Sequence, residues 1–304
     1  MSVRQYTLLG IFAHPDDESF GPGGTLARYA AEGVDVHVII ATDGIAGSVG
    51  DDSYMQTHET LAQVRSTELS DAAVALGITS IWSLPYSDSG MRGSPENKNP
   101  DALIQQPLGT LIDDILGYIN RLQPDIVLTH DPFGGYGHPD HIRCCEATTA
   151  AFHLLAGSTD LGPNSAQSHG DDLRAEQPTH GRYRPQKLYY TAFDKRMLKI
   201  IVKLMPLWGA DPTAIGRNKD IDLVEISHWH TPIHARINVG DYLEEKDRAS
   251  RAHASQYSGA PSYIRALPAV LRKRFLSFDT FTRAYPAATS ITSTPVETDL
   301  FSGI

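Results

Sequence analysis

The stretch Ala13-His14-Pro15-Asp16-Asp17-Glu18 decides how this chain is interpreted. It closes an apolar run over residues 6–13, which predicts a short strand covered on both faces by helices. In an open α/β sheet, ligand-binding groups collect at the carboxyl ends of the strands. His14 and Asp17 are three residues apart, so one tight turn directs both at a single point, and imidazole with carboxylate is a common zinc pairing. Asp16, next to a ligand yet free to point elsewhere, is a candidate general base.

The same stretch has a purely structural explanation. Carboxylates directly after a strand can cap the next helix, where they accept hydrogen bonds from free N–H groups and oppose the helix dipole. A motif match counts only with its structural context. A second, complementary motif is therefore needed to favour the metal hypothesis.

Length and charge limit the classes of protein to consider. The 304 residues suffice for one large α/β domain, and 26 basic against 36 acidic residues give a formal charge of −10. An acidic balance argues against binding to a phosphate backbone, so nucleic acid is not an expected partner.

Membrane and export signals are not found in the sequence. No run approaches the ~20 apolar residues of a membrane span, and the first residues lack the apolar core of a signal peptide. The cysteines, Cys144 and Cys145, are adjacent and badly placed for a disulfide with each other. We therefore expect a cytoplasmic protein without a membrane partner.

The first half of the chain alternates between strand and helix patterns. A helix over 25–32 followed by a strand over 34–42 predicts a β-α-β unit and hence a parallel pair. Further patterns predict helices over 58–76 and 103–122 and strands over 80–84 and 125–130. The fold class is thus α/β, with a mostly parallel sheet flanked by helices. The segment 92–101, rich in Gly, Pro, Asn and charge, predicts a mobile flap or surface excursion.

The complementary motif lies in residues 131–141, at the predicted end of the 125–130 strand. Three glycines permit a tight turn there, and Pro139 suits the first turn of a helix. His138 and His141 are three residues apart and share one face of that helix. One of the two histidines would complete a His/Asp/His zinc site, while the other stands free as an acid or oxyanion stabiliser.

The second half is less regular. Residues 155–186 predict a long loop or insertion, residues 187–192 a strand, residues 242–257 a helix and residues 286–304 an extended tail that docks back on the domain. We expect a surface or cleft-rim strand near 223–226, and we favour it over a second metal site formed by the nearby His228, His230 and His234. The chain is interpreted as a single domain over 1–304, with a core over 1–160 and an extension over 161–304.

The two His-Pro-Asp motifs, at 13–18 and 137–141, resemble the LmbE-like or PIG-L family of zinc-dependent N-acetylglucosaminyl deacetylases. Three further segments are similar to the branch that deacetylates the mycothiol precursor: Arg65 with Glu68 and Leu69, residues 88–91, and residues 131–136. A fourth segment, formed by Lys246, Ala249 and residues 253–256, is similar to a later helix of the family. The resemblance is dense over about the first 160 residues and sparse beyond them.

The resemblance implies a Rossmann-like fold and a role for each matching residue. His14, Asp17 and His141 would bind zinc, and Asp16 would act as the general base. His138 would stabilise the oxyanion or assist the leaving group, and Asp140 would orient and tune His138. The remaining matches are Tyr136 for the oxyanion, and Arg65 and Asp88 for sugar hydroxyls.

One position departs from the family pattern. Mycothiol-pathway members tend to carry an acidic residue in the loop after the second strand, where this chain has Ser48. This difference argues against an inositol-linked substrate but leaves the predicted reaction intact.

We therefore expect a metal-dependent hydrolase that removes the N-acetyl group from a small GlcNAc-containing glycoconjugate, releasing acetate and a free amine. The expected cofactor is Zn²⁺, with Fe²⁺ or another divalent ion as an alternative, and a homo-oligomer is possible. Two further hypotheses are an amidase acting on a larger glucosamine amide, such as a thiol S-conjugate, and a non-catalytic metal-bound sugar-binding module. A nucleotide-binding oxidoreductase is disfavoured because the first turn lacks Gly-x-Gly-x-x-Gly and carries carboxylates instead.

Overall fold

The computed structural model describes residues 5–47, 58–156, 183–215, 221–257, 276–287 and 296–304. The strands in these ranges are β1 (Thr7–Phe12), β2 (Asp35–Thr42), β3 (Ser80–Tyr86), β4 (Ile126–Thr129), β5 (Lys187–Ala192), β6 (Ala235–Asn238) and β7 (Phe278–Tyr285). The α-helices are α1 (Asp17–Phe20), α2 (Gly23–Ala31), α3 (His58–Leu76), α4 (Leu108–Leu122), α5 (Pro139–Ala156), α6 (Lys195–Leu204), α7 (Leu223–His228) and α8 (Leu243–Ala252).

All of these strands form one sheet in the order β3-β2-β1-β4-β5-β7-β6. The pairs from β3 to β5 are parallel, while β7 is antiparallel to both β5 and β6. The chain builds outward from β1 to β3 and then returns to place β4 on the other side of β1. The loops after β1 and β4 therefore leave the same edge side by side, at the switch point where open α/β sheets bind ligands.

The sheet is buried on both faces, as the apolar strand sequences predict. In β1, Leu8 and Phe12 point into the core beneath α2, α3 and α8, whereas Leu9 and Ile11 point into the core beneath α4 and α5. This alternation follows from the two-residue period of a strand. The predicted α/β class with a mostly parallel sheet flanked by helices is confirmed.

Most of the predicted helices and strands match the structure, and three predicted segments differ from it. The helix predicted over 103–122 begins at Leu108, because Pro107 before it has no N–H and cannot continue a helical turn. The strand expected near 223–226 is wrong: these residues form α7, because the Asp222 carboxylate accepts hydrogen bonds from the backbone of Val224 and Glu225 and starts a helix. The helix predicted over 242–257 ends at Ala252.

The chain end from 296 to 304 docks on the sheet, as the tail prediction proposed. Leu300 and Phe301 enter the core on the α2 face. The buried ammonium group of Lys187 donates to the carbonyl oxygens of Leu300 (2.9 Å) and Ser302 (2.6 Å). The antiparallel strand β7 was not predicted, because its residues alternate between buried and half-buried positions without a continuous apolar run.

Some sequence predictions fall outside the described residues, namely Ser48 and most of the loop or insertion predicted over 155–186, of which residues 155 and 156 belong to α5. The segment 92–101 is a surface excursion tied to its surroundings by Asn97, whose amide donates to the carbonyl oxygens of Ser89 and Met91. Cys144 and Cys145 are buried free thiols. Among the helices that the structure describes, none combines the length and the apolarity needed to cross a bilayer.

Candidate active site

The two sequence motifs meet at the switch point of the sheet. Residues 13–17 follow β1 and residues 130–138 follow β4, the strand hydrogen-bonded beside it. Thr129, the last residue of β4, donates its hydroxyl to the Ile11 carbonyl of β1 (2.9 Å), which ties the two strand ends together. His14, His138 and His141 are each no more than 6% exposed. His14 thus shares one buried cluster with two histidines that lie 124 and 127 residues further along the chain.

Three side chains of this cluster place their donor atoms in a small triangle. His14 Nδ1 lies 3.1 Å from His141 Nε2 and 3.5 Å from Asp17 Oδ2, and His141 Nε2 lies 3.3 Å from Asp17 Oδ1. Ligands at about 2.0–2.2 Å in tetrahedral geometry around zinc are roughly 3.3–3.6 Å apart. The spacing of this donor set therefore fits a zinc-sized ion.

The second nitrogen of His14 supports the same arrangement. His14 Nε2 lies 3.3 Å from Asp140 Oδ2 and 3.4 Å from Asp88 Oδ1. A proton on Nε2 satisfies these buried carboxylates and leaves the lone pair on Nδ1 for a metal ion, an arrangement common around metal-ligating histidines. Without a metal ion, burial lowers the pKa of His14, but Asp88 and the hydrogen bonds with Asp140 and Asp17 outweigh it and raise that pKa well above its usual range. A metal ion at Nδ1 would therefore displace a proton from this nitrogen.

Other groups of donor atoms overlap this triangle. His14, His138 and His141 bring nitrogens within 4.8 Å of one another, as do the donor atoms of Asp17, His130 and His141. A further group joins Asp88, His138 and Asp140 around His14. All of them share His14 or His141, so these donor atoms form one continuous cluster that is able to hold a metal ion.

Asp17 is ionised in this region. Burial alone would raise the pKa of its carboxyl, but His141 and His130 hold it well below its usual value. Asp17 Oδ2 also accepts a hydrogen bond from the His14 backbone N–H (2.8 Å). This bond fixes the turn that brings residues 14 and 17 together.

Asp16 is held in an unusual conformation beside the donor triangle. Its φ of 128° is rare for a residue with a side chain, and such conformations cost of order 1–3 kcal/mol and concentrate at functional sites. Its Oδ2 accepts from the Arg65 guanidinium (2.8 Å), and its backbone N–H donates to Glu18 Oε2 (3.0 Å). Asp16 precedes α1 but makes no side-chain capping bond, so the capping explanation fails for this residue.

The ionisation of Asp16 is strongly perturbed in the metal-free protein. Burial raises the pKa of its carboxyl to about 6; the neighbouring charge of Asp17 acts in the same direction, against the opposing effect of Arg65. A bound cation would lower that pKa again, because its charge favours the carboxylate.

This pKa predicts a pH-dependent stability. An acid whose folded-state pKa exceeds its unfolded value of ~3.9 loses stability as the pH rises between the two values, here from about 4 to about 6. The shift of about two units corresponds to roughly 3 kcal/mol. Between pH 4 and pH 8, the unfolding free energy of the metal-free wild type should therefore fall by about 2–3 kcal/mol more than that of Asp16→Asn. Urea titrations of both proteins across this pH range measure the two unfolding free energies. If these free energies changed in parallel with pH, the prediction would be contradicted.

His138 stands beside the triangle in a different protonation state. Its Nδ1 accepts from the Asp140 backbone N–H (3.2 Å), which leaves the proton on Nε2. Burial, together with the neighbouring imidazoles of His14 and His141, lowers the pKa of His138 to about 2. His138 is therefore a neutral hydrogen-bond donor at physiological pH.

Tyr136 and Asp140 complete the surroundings of the two histidines. The Tyr136 ring meets His138 and His141 edge-on, with centroids 5.8 Å and 5.2 Å away. The Tyr136 side chain is 37% exposed, and partial desolvation together with the nearby carboxylates of Asp17, Asp16 and Asp88 raises its pKa, so its hydroxyl keeps its proton. Asp140 is fully buried, and its Oδ2 accepts from Ser89 N (2.9 Å).

Arg65 and Asp88 lie at the site, but their polar atoms are engaged within the protein. Arg65 is 2% exposed, and its guanidinium donates to the carbonyl oxygens of Pro15 and Gly44 as well as to Asp16. A side chain on Gly44 would strike that guanidinium. Asp88 accepts from the backbone of Gly90 (2.8 Å) and Ala46 (3.2 Å). The predicted contacts of both residues with sugar hydroxyls stay predictions.

Comparison with known proteins assigns the chain to a family. The family model described as PIG-L, GlcNAc-PI de-N-acetylase, matches residues 9–152, the part that carries both motifs. A 1D-myo-inositol 2-acetamido-2-deoxy-alpha-D-glucopyranoside deacetylase from Rhodococcus erythropolis is 31% identical over 318 residues, covering 100% of this chain and 99% of that protein. This chain belongs to the PIG-L family. The predicted family and the predicted class of N-deacetylase are confirmed.

Similar solved structures are no more than 20% identical in the two examples that follow, so they support the fold and not the activity. N,N'-diacetylchitobiose deacetylase from Pyrococcus horikoshii aligns with a TM-score of 0.55 at 20% identity, covering 91% of this chain and 83% of that one. GalB, the 4-carboxy-2-hydroxymuconate hydratase from Pseudomonas putida, aligns with a TM-score of 0.56 at 16% identity, covering 94% and 99%. Because one fold carries both a deacetylase and a hydratase, the fold by itself does not specify the reaction.

The structure adds three residues to this PIG-L site to which the sequence analysis assigned no role. The His130 ring stacks on His141 at 3.8 Å, and its Nε2 lies 3.4 Å from Asp17 Oδ2. Glu18 and His253 are fully buried and joined by a 2.7 Å hydrogen bond. His130 directly follows β4, Glu18 belongs to the first motif and His253 belongs to the matching segment 253–256, so the sequence offered a signal for each. His253 lies 235 residues beyond Glu18, so only the fold shows that the two are hydrogen-bonded.

Proposed function

We propose that this chain hydrolyses the N-acetyl group of GlcNAc linked to inositol, with a divalent metal ion held by His14, Asp17 and His141. The donor triangle with the buried Asp16 carboxylate beside it carries the proposal. Asp16 argues against a non-catalytic binding module, because a binding site needs the ligands but no base next to them. The activity of the Rhodococcus relative supports the inositol-linked substrate, and we give it more weight than the single departure at Ser48 that argued against such a substrate.

When bound, the metal ion would lower the pKa of a water molecule towards about 7 and polarise the amide carbonyl. Asp16 would take the proton of the attacking water. Its Oδ2 is held by Arg65, and among the described residues its Oδ1 accepts no hydrogen bond, so Oδ1 is the atom available to the water.

Two side chains would stabilise the oxyanion of the tetrahedral intermediate. The Nε2–H of neutral His138 is one donor and the Tyr136 hydroxyl is the other. Loss of one such donor typically costs about 3 kcal/mol of barrier stabilisation. Because its pKa is lowered to about 2, His138 is better suited to donate a hydrogen bond than to protonate the leaving amine. The proton taken by Asp16 would return to the amine nitrogen as the C–N bond breaks, giving acetate and a free glucosamine.

The metal itself is proposed to be zinc. Imidazole and carboxylate also suit Fe²⁺ and other divalent ions, whose occupancy in the cell depends on availability. A cytoplasmic location fits the two free thiols, and a homo-oligomer stays a prediction. The proposed boundary at residue 160 between core and extension also stays a prediction.

Free-amine release from a small panel tests the function. Metal-stripped protein is assayed with and without zinc on GlcNAc, GlcNAc-inositol, GlcNAc-malate and chitobiose, and the metal content is measured in parallel. We expect zinc-dependent release, fastest with GlcNAc-inositol. Stoichiometric metal without release from any member would favour the larger-amide amidase or the binding module.

A further inference from the structure

Glu18 and His253 form a buried pair that the proposed mechanism does not use. Both side chains are fully buried, and His253 Nε2 lies 2.7 Å from Glu18 Oε1. The Ser19 hydroxyl donates to the same oxygen (2.6 Å). Within the described ranges His253 Nδ1 has no hydrogen-bond partner, so this imidazole bonds through Nε2. A buried pair of this kind contributes little net stability, because desolvation offsets the attraction. Its role is therefore to be found in what the second Glu18 oxygen holds.

The second oxygen of Glu18 holds the backbone of Asp16. The Asp16 N–H donates to Glu18 Oε2 (3.0 Å), and the Pro15 carbonyl of the same peptide group accepts from Arg65. Because a peptide group is planar, a bond at each end fixes its orientation. The carbonyl of Asp16 accepts from two backbone N–H groups of α1 (3.0 Å and 2.9 Å). These bonds hold the peptide groups on both sides of the Asp16 Cα, and with them its φ of 128°.

His253 is anchored to the helix that also carries Arg65. It directly follows α8, and two residues later Ser255 donates its backbone N–H and its hydroxyl to Glu68 (2.7 Å each). Glu68 lies about one helical turn after Arg65 on α3. Arg65 itself donates to Asp16 Oδ2 (2.8 Å). Helix α3 therefore anchors both the carboxylate of Asp16 and the residue that supports its backbone.

We infer that His253 is a positioning residue for the general base: through Glu18 it holds the Asp16 backbone in the conformation that keeps the carboxylate beside the donor triangle. The inference rests on the proposed deacetylase function, in which Asp16 takes the proton of water. A residue with a side chain keeps such a φ only where its surroundings over-determine it. Without His253, Glu18 would be held on one side only, and Asp16 would relax towards an ordinary φ.

Replacement of His253 by two different carboxamides tests this role. The side-chain nitrogen of glutamine matches imidazole Nε2 in its number of bonds from Cα, whereas that of asparagine falls short of Glu18. In zinc-loaded protein, His253→Asn should lower kcat for GlcNAc-inositol about 10- to 100-fold, because a small misplacement of a reacting group has that effect. KM and zinc affinity should stay within twofold of wild type. His253→Gln should restore kcat to within about threefold.

The backbone amide proton of Asp16 reports its bond to Glu18 without any substrate or metal ion. It is observed by TROSY NMR in the metal-free protein. Its resonance should move upfield in His253→Asn, because the hydrogen bond to a carboxylate lengthens. In His253→Gln it should return towards the wild-type position. This measurement tests the positioning role independently of turnover.

Two controls separate positioning from a general loss of packing. Arg248→Ala removes the hydrogen bond that joins α8 to the Ala75 carbonyl of α3 (3.0 Å) but does not touch Glu18, and it should leave kcat within twofold. The second control is a double-mutant cycle. If His253 acts through Asp16, adding His253→Asn to Asp16→Asn should lower kcat by no more than about twofold further. A general loosening of the fold would instead multiply the two effects.

A smaller change covers the case in which His253→Asn does not fold. Ser19→Ala removes the other side-chain bond to Glu18 Oε1 and should lower kcat about three- to tenfold with KM unchanged, as expected for one hydrogen bond. Circular dichroism of each variant shows whether the fold is kept. An unchanged kcat in Ser19→Ala together with an unshifted Asp16 resonance would overturn the inference.

The outcomes separate this inference from the proposed function. A zinc-loaded wild type that is inactive on every substrate contradicts the function, and the Asp16 resonance then tests the hold on its backbone alone. An active wild type with kcat of His253→Asn within twofold, or with equal losses in His253→Asn and His253→Gln, overturns the positioning role and leaves the deacetylase intact. Loss of zinc from His253→Asn would also overturn it, because the residue would then support metal binding.

Discussion

Asp16→Asn is expected to lower kcat by about 10²- to 10⁴-fold while the protein keeps its metal ion. General-base catalysis contributes that much, and asparagine cannot take the proton of water. The amide retains the size of the side chain and an oxygen for Arg65, so the donor triangle of His14, Asp17 and His141 should persist. Steady-state release of free amine gives kcat, and elemental analysis of the purified variant gives the metal content.

A matched control separates chemistry from charge. Asp101→Asn removes one carboxylate at an exposed position on the same edge of the sheet and should leave kcat within twofold. If Asp16→Asn kept near-normal turnover with metal bound, Asp16 would not be the base. If Asp16→Asn lost the metal, its role would belong to metal binding, and the turnover would say nothing about proton transfer.

His141→Ala should lose metal at stoichiometric concentrations and lower activity at least 100-fold. Substitutions of groups that only support a metal ligand already reduce affinity 10- to 100-fold, and His141 Nε2 stands within 3.3 Å of both other donor atoms of the triangle. The measurements are competition with a chromogenic chelator for zinc affinity, and amine release across a zinc titration.

Excess zinc should restore part of the activity of this variant, because His14 and Asp17 remain. His37→Ala is the control: this histidine lies on β2, near Ser80 Oγ (2.8 Å) and outside the cluster, and its loss should leave zinc affinity unchanged. Wild-type zinc affinity in His141→Ala would move the metal site to one of the neighbouring groups, such as His14 with Asp88, His138 and Asp140.

Local sequence predicted much of this protein. The apolar runs 6–13 and 125–130 set the two central strands, because only a strand buried on both faces is so uniformly apolar. The carboxylates and imidazoles after those runs supplied the proposed metal ligands and base, because the carboxyl ends of strands in such a sheet share one edge. Two pairs of these residues lie three positions apart, so a single turn brings the members of each pair together: His14 with Asp17, and His138 with His141.

Tertiary structure decided what depends on contacts between distant segments. The order of β1 and β4 places His14 against His141, and no local pattern specifies which strands become neighbours. The sequence alone also did not predict the partners of Arg65. In the fold its buried guanidinium donates to Asp16 and to two backbone carbonyl oxygens. The hydrogen bond between Glu18 and His253 is a juxtaposition of the same kind. The sequence by itself thus determined which chemical groups follow each strand, because the spacing of apolar residues and the turn residues fix where a strand ends. The pairing of these groups and their perturbed pKa values follow from burial, which only the folded chain creates.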